Sequence, residues 1–222
     1  ANGLAYIRDM ALRDGFIVRE FGGNAIAICY GEQSSRVEAV SHVDVVPVGV
    51  GWTMPPFGAQ MREGRLYGRG TQDMKTALWL AYEALRRVRA SGRLLKRQIR
   101  LEIGTDEERT MRDVAAYLQA EGLPDFAFTP DGGFPLCLGE KGDLVWYVDK
   151  AVQSRVLRLT GGQEANIVCD RCALTVTAQD APAVEAWLRH KGWGFEAQGE
   201  QEITFTIAGK AAQASLPLLG DN

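Results

Sequence analysis

The sequence predicts an α/β protein, with a layered domain built on a mostly parallel sheet and part of a second, α+β domain. Helical and strand patterns alternate from the N-terminus to about residue 142, which is typical of a layered α/β domain. Strand patterns then predominate around a single helical pattern, as in a separate antiparallel unit. The length of 222 residues exceeds that of one small module, so we expect two domains, residues 1–145 and 146–222.

The first domain begins with a helical pattern and continues with strands and helices in turn. Leu4 to Arg13 places apolar residues at helical spacing, and Asp14-Gly15 ends that pattern. Helical spacing returns in Thr76 to Ala90 and in Met111 to Glu121. Apolar runs bounded by turn residues predict the strands, which are Phe16 to Phe21, Ala25 to Tyr30, Arg36 to Val40, Gln98 to Gly104, Ala127 to Thr129 and Leu136 to Leu138.

The second domain follows with four strand patterns and one helix. The helix is Ala181 to Lys191, where apolar residues recur at helical spacing. The chain ends at Asn222 directly after a turn, so we expect this domain to be incomplete. The predicted strands are Leu144 to Val148, Val156 to Thr160, Cys172 to Ala178 and Ile203 to Ile207.

Composition and charge argue against several classes of protein. Apolar residues make up 46% and charged residues 24% of the chain, enough for a folded core. The 25 basic and 28 acidic residues give a net charge of −3, which does not favour a nucleic-acid binder. No stretch approaches the roughly 18 apolar residues of a membrane span. With four scattered cysteines we expect a cytoplasmic protein, and nothing in the sequence indicates an oligomeric state.

Acidic residues and one histidine follow the apolar runs of the first domain. The sequence contains no phosphate-loop, dinucleotide-binding or serine-hydrolase motif. In an open α/β sheet, the loops beyond the carboxyl ends of the strands converge on one crevice, so residues distant in sequence can meet there. The candidates are His42 and Asp44, Asp73, Asp106-Glu107-Glu108, and Asp131.

These candidates predict a metal site, because carboxylates gathered in one crevice repel one another unless a cation neutralises them. One imidazole with several carboxylates suits Zn²⁺, Mn²⁺ or Co²⁺. His42 and Asp44 lie on the same side of an extended segment, which makes Asp44 a candidate to orient the imidazole. The neighbouring Glu107 and Glu108 point apart, so one can bind metal while the other faces a bound water.

Taken singly, each of these residues has an ordinary structural interpretation. An exposed acid in a turn, such as Asp106, is usually only solvated. A lone histidine after a strand, such as His42, is usually structural. The order and spacing of the whole set favour the metal site over these interpretations.

Four segments carry a resemblance to a known family. In chain order they are SHVDVVP at 41–47, LYGRGTQDMK at 66–75, GTDEE at 104–108 and TPDGGFP at 129–135. Together they resemble the M20 family of dinuclear zinc peptidases, and most of all its dipeptidase V-type (carnosinase-like) branch. The resemblance implies a phosphorylase/hydrolase-like catalytic domain over residues 1–145. It continues weakly through Gly161 to Val168 and Gly209 to Asn222, which implies a partial lid domain over residues 146–222.

The resemblance also implies a role for the candidate residues. His42 and Asp131 would bind one zinc ion, Asp73 would bridge both ions, and Glu108 would bind the second. Glu107 would be the general base that deprotonates the bridging water. Two close metal ions polarise a scissile carbonyl and supply hydroxide at neutral pH. The implied reaction is therefore hydrolysis of a peptide or related amide bond in a small, dipeptide-like substrate.

Asp44 resembles the residue that orients the histidine, whereas two features depart from the family pattern. Gln213 stands where the family has a histidine that stabilises the oxyanion, and loss of one oxyanion donor costs about 10²–10³ in rate. The family's final zinc-binding histidine lies further downstream than Asn222. We therefore expect a truncated chain that binds one zinc ion better than two and is inactive or weak on its own.

A second hypothesis is a non-catalytic homologue that binds metal or peptide through a degraded site. Retention of Glu107 together with Asp73 and Glu108 favours the enzyme, because a binding protein has little use for a general base. Gln213 favours the binding protein, since it cannot carry the charge of an imidazolium.

Overall fold

The computed structural model divides into two compact units, residues 1–138 and 139–222. The assignment of residues 1–145 to a catalytic domain and 146–222 to a lid domain stays a prediction. The described residues are 2–49, 51–133, 137, 144, 146–149, 151, 153–162 and 168–209. None of the helices in these ranges combines the length and the apolar character that a membrane crossing requires.

The first unit contains three helices and seven strands in its described residues. The helices are α1 (Asn2–Arg13), α2 (Thr76–Ala90) and α3 (Arg112–Glu121). The strands are β1 (Ile17–Phe21), β2 (Ala25–Tyr30), β3 (Arg36–His42), β4 (Gln60–Arg62), β5 (Arg65–Tyr67), β6 (Gln98–Gly104) and β7 (Phe126–Phe128).

Five of these strands form one mixed sheet in the order β1, β2, β6, β3, β7. β2 pairs antiparallel with both β1 and β6, whereas β3 pairs parallel with both β6 and β7. The α/β class is confirmed. The sheet is mixed and not mostly parallel as predicted, because only β6, β3 and β7 pair in parallel. The short turn after Phe21 accounts for the antiparallel pair of β1 and β2.

The first unit differs from the sequence prediction in several element bounds and in one added pair of strands. β3 extends past the predicted Val40 to His42, and β7 lies one residue earlier than predicted. β4 and β5 form a separate antiparallel pair that was not predicted, because both are exposed three-residue strands without an apolar alternation. α3 begins at Arg112, one residue later than predicted. Met111 has the left-handed backbone conformation (φ 51°, ψ 27°), which an α-helix does not accommodate.

The two faces of the main sheet pack against different helices, because successive side chains of a strand alternate. One face packs against α1 and α2, and the other packs against α3. The core on the first face includes Ile26, Ile28, Leu78, Leu85, Leu101 and Ile103, and the core on the second face includes Phe21, Ala25, Ala27, Cys29 and Tyr117.

Buried charged side chains also lie on the face that packs against α3. Glu38 accepts hydrogen bonds from Arg36 Nε at 2.5 Å and from the Tyr117 hydroxyl at 2.6 Å. Arg100 forms an ion pair with Glu121 at 2.7 Å. These side chains satisfy one another, which is what keeps a charged network tolerable in the interior.

Glu102 is a buried carboxyl on the same face. Its exposed fraction is 0%, and neither of its carboxyl oxygens has a hydrogen-bond partner among the described residues. Burial, followed by the charges of Asp113 and Glu38, raises the pKa of Glu102 to about 8. At neutral pH this side chain is therefore mostly protonated.

The second unit contains an antiparallel sheet and one helix in its described residues. The elements are β8 (Val156–Gly161), β9 (Arg171–Thr177), α4 (Ala181–His190), β10 (Phe195–Gln198) and β11 (Glu202–Ala208). The strand order is β10, β11, β9, β8, and Leu188 of α4 packs on Val176 and Phe205. This agrees with the α+β pattern predicted from the sequence, apart from the unpredicted β10.

Two strands predicted near the junction of the units have no counterpart in the described residues. Residues 144 and 146–148, from the predicted strand Leu144 to Val148, are not in a strand. The prediction for Leu136 to Leu138 falls mostly outside the described residues, as does the whole segment 210–222 with Gln213.

Candidate metal centre

His42 is the last residue of β3 and lies beside the end of β6. In the register of these parallel strands His42 is opposite Gly104, and the Val43 N–H donates to the Gly104 carbonyl at 3.0 Å. The His42 N–H donates to Met74 Sδ at 3.3 Å, and the residue is only 1% exposed. Because parallel strands end at the same edge of a sheet, the segment that follows β6 starts next to the imidazole.

Three carboxylates from separate segments of the chain face His42 Nε2. Asp73 Oδ1 and Asp131 Oδ2 each lie at 3.3 Å from this nitrogen, and Glu107 Oε2 lies at 3.6 Å. Two groups have ligand atoms within 4.8 Å of one another: His42 with Asp73 and Asp131, and His42 with Glu107 and Glu108. The structure thus brings these five candidates together, while the role of each stays a prediction.

Asp44 contacts both the imidazole and the segment after β6. Its Oδ1 lies 3.2 Å from His42 Nδ1, which also lies 3.2 Å from the Asp44 carbonyl oxygen. The same carboxylate accepts hydrogen bonds from the N–H groups of Glu108 at 3.1 Å and Glu107 at 3.4 Å. The sequence predicted the contact with His42 but not the contacts with the two glutamate backbones.

Asp73 lies on an irregular turn, Thr71–Lys75, that directly precedes α2. Met74 is completely buried next to the His42 backbone and anchors the turn. Gly70 precedes the turn with φ 80°, and a Cβ there would lie 2.6 Å from Lys75 Nζ and 2.7 Å from Val45 Cγ1. The turn can therefore approach the end of β3 only with glycine at this position.

The imidazole and the carboxylates of the cluster shift one another's pKa. Burial lowers the pKa of His42, but its hydrogen bond with Asp44 and the charge of Glu107 outweigh burial and raise this pKa to about 9. Burial and the charges of Asp73 and Glu107 raise the pKa of Glu108 to about 7. Burial also raises the pKa of Glu107. Burial and neighbouring negative charge thus disfavour the ionised forms of Glu107 and Glu108, and a bound cation would offset both effects.

The spacing of the donor atoms fits a small divalent cation. Two ligand atoms about 2.1 Å from one ion at a tetrahedral angle lie about 3.4 Å apart. The separations of 3.3–3.6 Å between His42 Nε2 and the three carboxylates agree with this value. Asp44 occupies His42 Nδ1, which leaves Nε2 facing the carboxylates as a metal-binding histidine requires.

Two further acidic residues lie near the cluster: Asp106, which was a candidate from the sequence, and Asp113, which was not. The half-buried Asp106 carboxylate accepts hydrogen bonds from the Thr110 hydroxyl and from Arg112 N–H, so it stabilises the turn before α3. Asp113 was not predicted, although its buried carboxylate accepts hydrogen bonds from the segment that leads to Glu107. In the sequence, an acid in the first turn of a helix indicates only a favourable charge near the helix dipole.

The fold and the cluster define an α/β protein with a carboxylate-rich candidate metal centre at the carboxyl ends of parallel strands. The chain belongs to peptidase family M20/M25/M40, because the sequence model of this family matches residues 39–212. Members of this family are generally metal-dependent. The resemblance found in the four sequence segments is thereby confirmed.

Individual relatives are dipeptidases by name. The chain is 32% identical over 227 residues to the Beta-Ala-Xaa dipeptidase of Lactobacillus delbrueckii subsp. lactis, covering 96% of this chain and 47% of that protein. The structure of human carnosine dipeptidase 1 matches with a TM-score of 0.47 and 24% identity, over 58% of this chain and 32% of that one. The structure of the di-peptidase Dug1p from Saccharomyces cerevisiae matches with a TM-score of 0.46 and 14% identity, over 92% of this chain and 63% of that one. The chain spans half or less of the length of the first curated relatives it matches.

Proposed function

We propose that this chain carries the metal-binding part of an enzyme that hydrolyses a peptide bond in a dipeptide-like substrate, using zinc-activated water. The observation that carries the proposal is the cluster at His42 Nε2, where carboxylates from three segments lie at 3.3–3.6 Å. Membership of a peptidase family supports the reaction, and the name of the Lactobacillus relative supports the substrate class. We also propose a cytoplasmic location, since four scattered cysteines are too few for the disulfide framework typical of a secreted protein.

The candidate ligands divide between two zinc positions. His42 and Asp131 would hold one ion, Glu108 would hold the second, and Asp73 would contribute to both. When bound, zinc polarises a scissile carbonyl and lowers the pKa of an attacking water. This chain supplies three ligands for the first position and two for the second, so we expect one zinc ion to bind better than two.

Glu107 is the proposed general base. Its Oε2 lies within 3.6 Å of His42 Nε2, and its side chain is 36% exposed, so a substrate and a water can reach it. Burial raises its pKa toward the neutral range in which a base is most efficient. Glu107 accepts the proton of the attacking water and then gives it to the departing amino group. Asp44 keeps the imidazole and the Glu107 backbone in place during both transfers.

A second candidate function is metal or peptide binding without catalysis. Gln213 favours it, because this residue stands where the family has a histidine that stabilises the oxyanion. A glutamine amide can still donate one hydrogen bond to the oxyanion, so the enzyme remains the preferred proposal.

The test combines calorimetric zinc titration with dipeptide hydrolysis, using this chain and the full-length protein. We expect about one tight zinc site in the chain, lost in His42→Ala, and hydrolysis by the full-length protein, lost in Glu107→Gln. Glu32→Gln is the matched control, because Glu32 is an exposed carboxyl outside the cluster. Zinc binding without any hydrolysis contradicts the enzyme and favours the non-catalytic binding protein. Absence of zinc binding contradicts both the enzyme and a metal-binding protein.

A further inference from the structure

Asp113, in the first turn of α3, binds the segment that connects β6 to Glu107. Its Oδ2 accepts hydrogen bonds from the N–H groups of Thr105 at 2.5 Å and Asp106 at 2.8 Å. The residue is 2% exposed, so water does not compete for these charge-assisted bonds. A side chain on a helix thus holds the backbone immediately before the proposed base.

Gly104 makes room for this carboxylate at the end of β6. A Cβ at Gly104 would overlap Asp113 Oδ2 and lie 3.0 Å from Asp113 Cγ. The backbone of Gly104 belongs to a regular strand, paired with His42 in β3 and Ala25 in β2. Glycine is therefore needed here for space and not for an unusual backbone conformation.

Two carboxylates together bind four consecutive backbone N–H groups, those of residues 105–108. Asp113 accepts the first two, and Asp44 accepts those of Glu107 at 3.4 Å and Glu108 at 3.1 Å. Residues 105–108 belong to neither a helix nor a strand, so no regular hydrogen bonding fixes their course. The direction in which the two glutamate side chains point depends on these four bonds.

We propose that Asp113 is a positioning residue that fixes the backbone before Glu107 and Glu108 and so aims both carboxylates at His42. The roles of the two glutamates in this inference rest on the proposed function. The fixing of the backbone does not, because it concerns hydrogen bonds within the first unit alone.

A simpler role for Asp113, as the cap of α3, does not explain the hydrogen bonds that both of its carboxylate oxygens accept. Met111 occupies the N-cap position and its side chain makes no capping hydrogen bond. Asp113 Oδ1 accepts from the Val114 N–H at 2.8 Å, whereas Oδ2 faces Thr105. The carboxylate therefore ties the helix to the segment after β6, and truncation should disturb that segment as well as the helix.

The first test measures amide hydrogen exchange by NMR in the metal-free chain. In Asp113→Ala we expect exchange at Thr105 and Asp106 to accelerate by about tenfold or more relative to amides inside β6, since each loses a hydrogen bond to a charged acceptor. Glu121→Gln is the matched control, because it removes a buried acid of the same helix that pairs with Arg100. It should lower global stability without a selective effect at residues 105–106.

The second test is a double-mutant cycle with Gly104→Ala. Alone, this substitution should displace the Asp113 carboxylate and accelerate the same two amides. Combined with Asp113→Ala, it should add little, because the new methyl group then meets no carboxylate. Fully additive effects, or unchanged exchange at Thr105 and Asp106, overturn the proposal. Asp113→Asn preserves the volume if Asp113→Ala does not fold, and should accelerate the two amides to a smaller degree.

The third test separates this inference from the proposed function through zinc affinity. We expect Asp113→Ala to weaken zinc binding by about 10–100-fold, as is typical for residues that orient ligands, and Glu121→Gln to leave it unchanged. Faster exchange in a chain that binds no zinc supports the positioning role and contradicts the proposed function. Unchanged exchange in a chain that binds zinc supports the proposed function and contradicts the positioning role.

Discussion

Glu102 should make the stability of the first unit fall as the pH rises. In the folded chain its pKa is about 8, mainly because of burial, against an ordinary value of 4.5. Between these two values the folded state keeps the proton and the unfolded state loses it, so unfolding becomes easier with increasing pH. Each pH unit in this window costs about 1.4 kcal/mol of unfolding free energy. Glu102 alone should therefore lower stability by about 3 kcal/mol between pH 4.5 and pH 7.

Glu102→Gln tests this expectation, because it keeps the shape of the side chain and removes its titration. We expect the wild-type chain to lose about 3 kcal/mol more unfolding free energy than Glu102→Gln between pH 4.5 and pH 7, as measured by urea unfolding followed by circular dichroism. Glu102→Leu should reduce the pH dependence by the same amount and be the more stable variant, since it leaves no buried polar atom unpaired. Glu32→Gln, at an exposed position, should retain the wild-type slope. Identical slopes in wild type and Glu102→Gln would mean that Glu102 ionises normally, which would refute the reasoning.

Four further predictions concern the full-length protein, with zinc content and dipeptide hydrolysis measured for each variant. Glu107→Gln should retain zinc and lose turnover by about 10²–10⁴-fold; loss of zinc would make Glu107 a ligand instead. Glu108→Gln should lose zinc at the second position, because an amide is a poorer ligand than a carboxylate, and retained zinc would contradict its assignment. Asp44→Asn should weaken zinc binding by about 10–100-fold, and unchanged affinity would mean that His42 needs no partner at Nδ1. Gln213→His should raise turnover with little change in zinc content; no gain would indicate that residue 213 does not face the oxyanion.

The features that could be predicted from the sequence are those that depend on local pattern. The apolar run of β2 and the helical spacing of α2 predicted both elements with the observed bounds, Ala25–Tyr30 and Thr76–Ala90. The convergence of His42, Glu107 and Asp131 followed from a general property of α/β sheets, that loops beyond the ends of parallel strands meet.

The features that could not be predicted depend on which strands are neighbours and in which register. Glu102 lies at a polar position of the alternating pattern of β6, which indicates an exposed face, and only the packing of α3 shows that the residue is completely buried. Nothing in the sequence around Asp113 indicates its contact with residues 105–106. The contact depends on the space that the missing side chain of Gly104 leaves for the Asp113 carboxylate. The same holds for Asp44, whose bonds to the Glu107 and Glu108 backbones depend on β3 and β6 ending side by side.

Because β3 pairs with a parallel strand on each side, the cluster forms only when β3 is in its correct register. A slip of β3 by one residue against β6 would set Ser41 or Val43 opposite Gly104 and turn the imidazole to the other face of the sheet. A slip by two residues would carry it about 6.6 Å along the strand, far beyond the reach of Asp73 and Asp131. Substitutions that weaken the first unit should therefore reduce the fraction of molecules with a competent centre, while each folded molecule keeps the full affinity for metal.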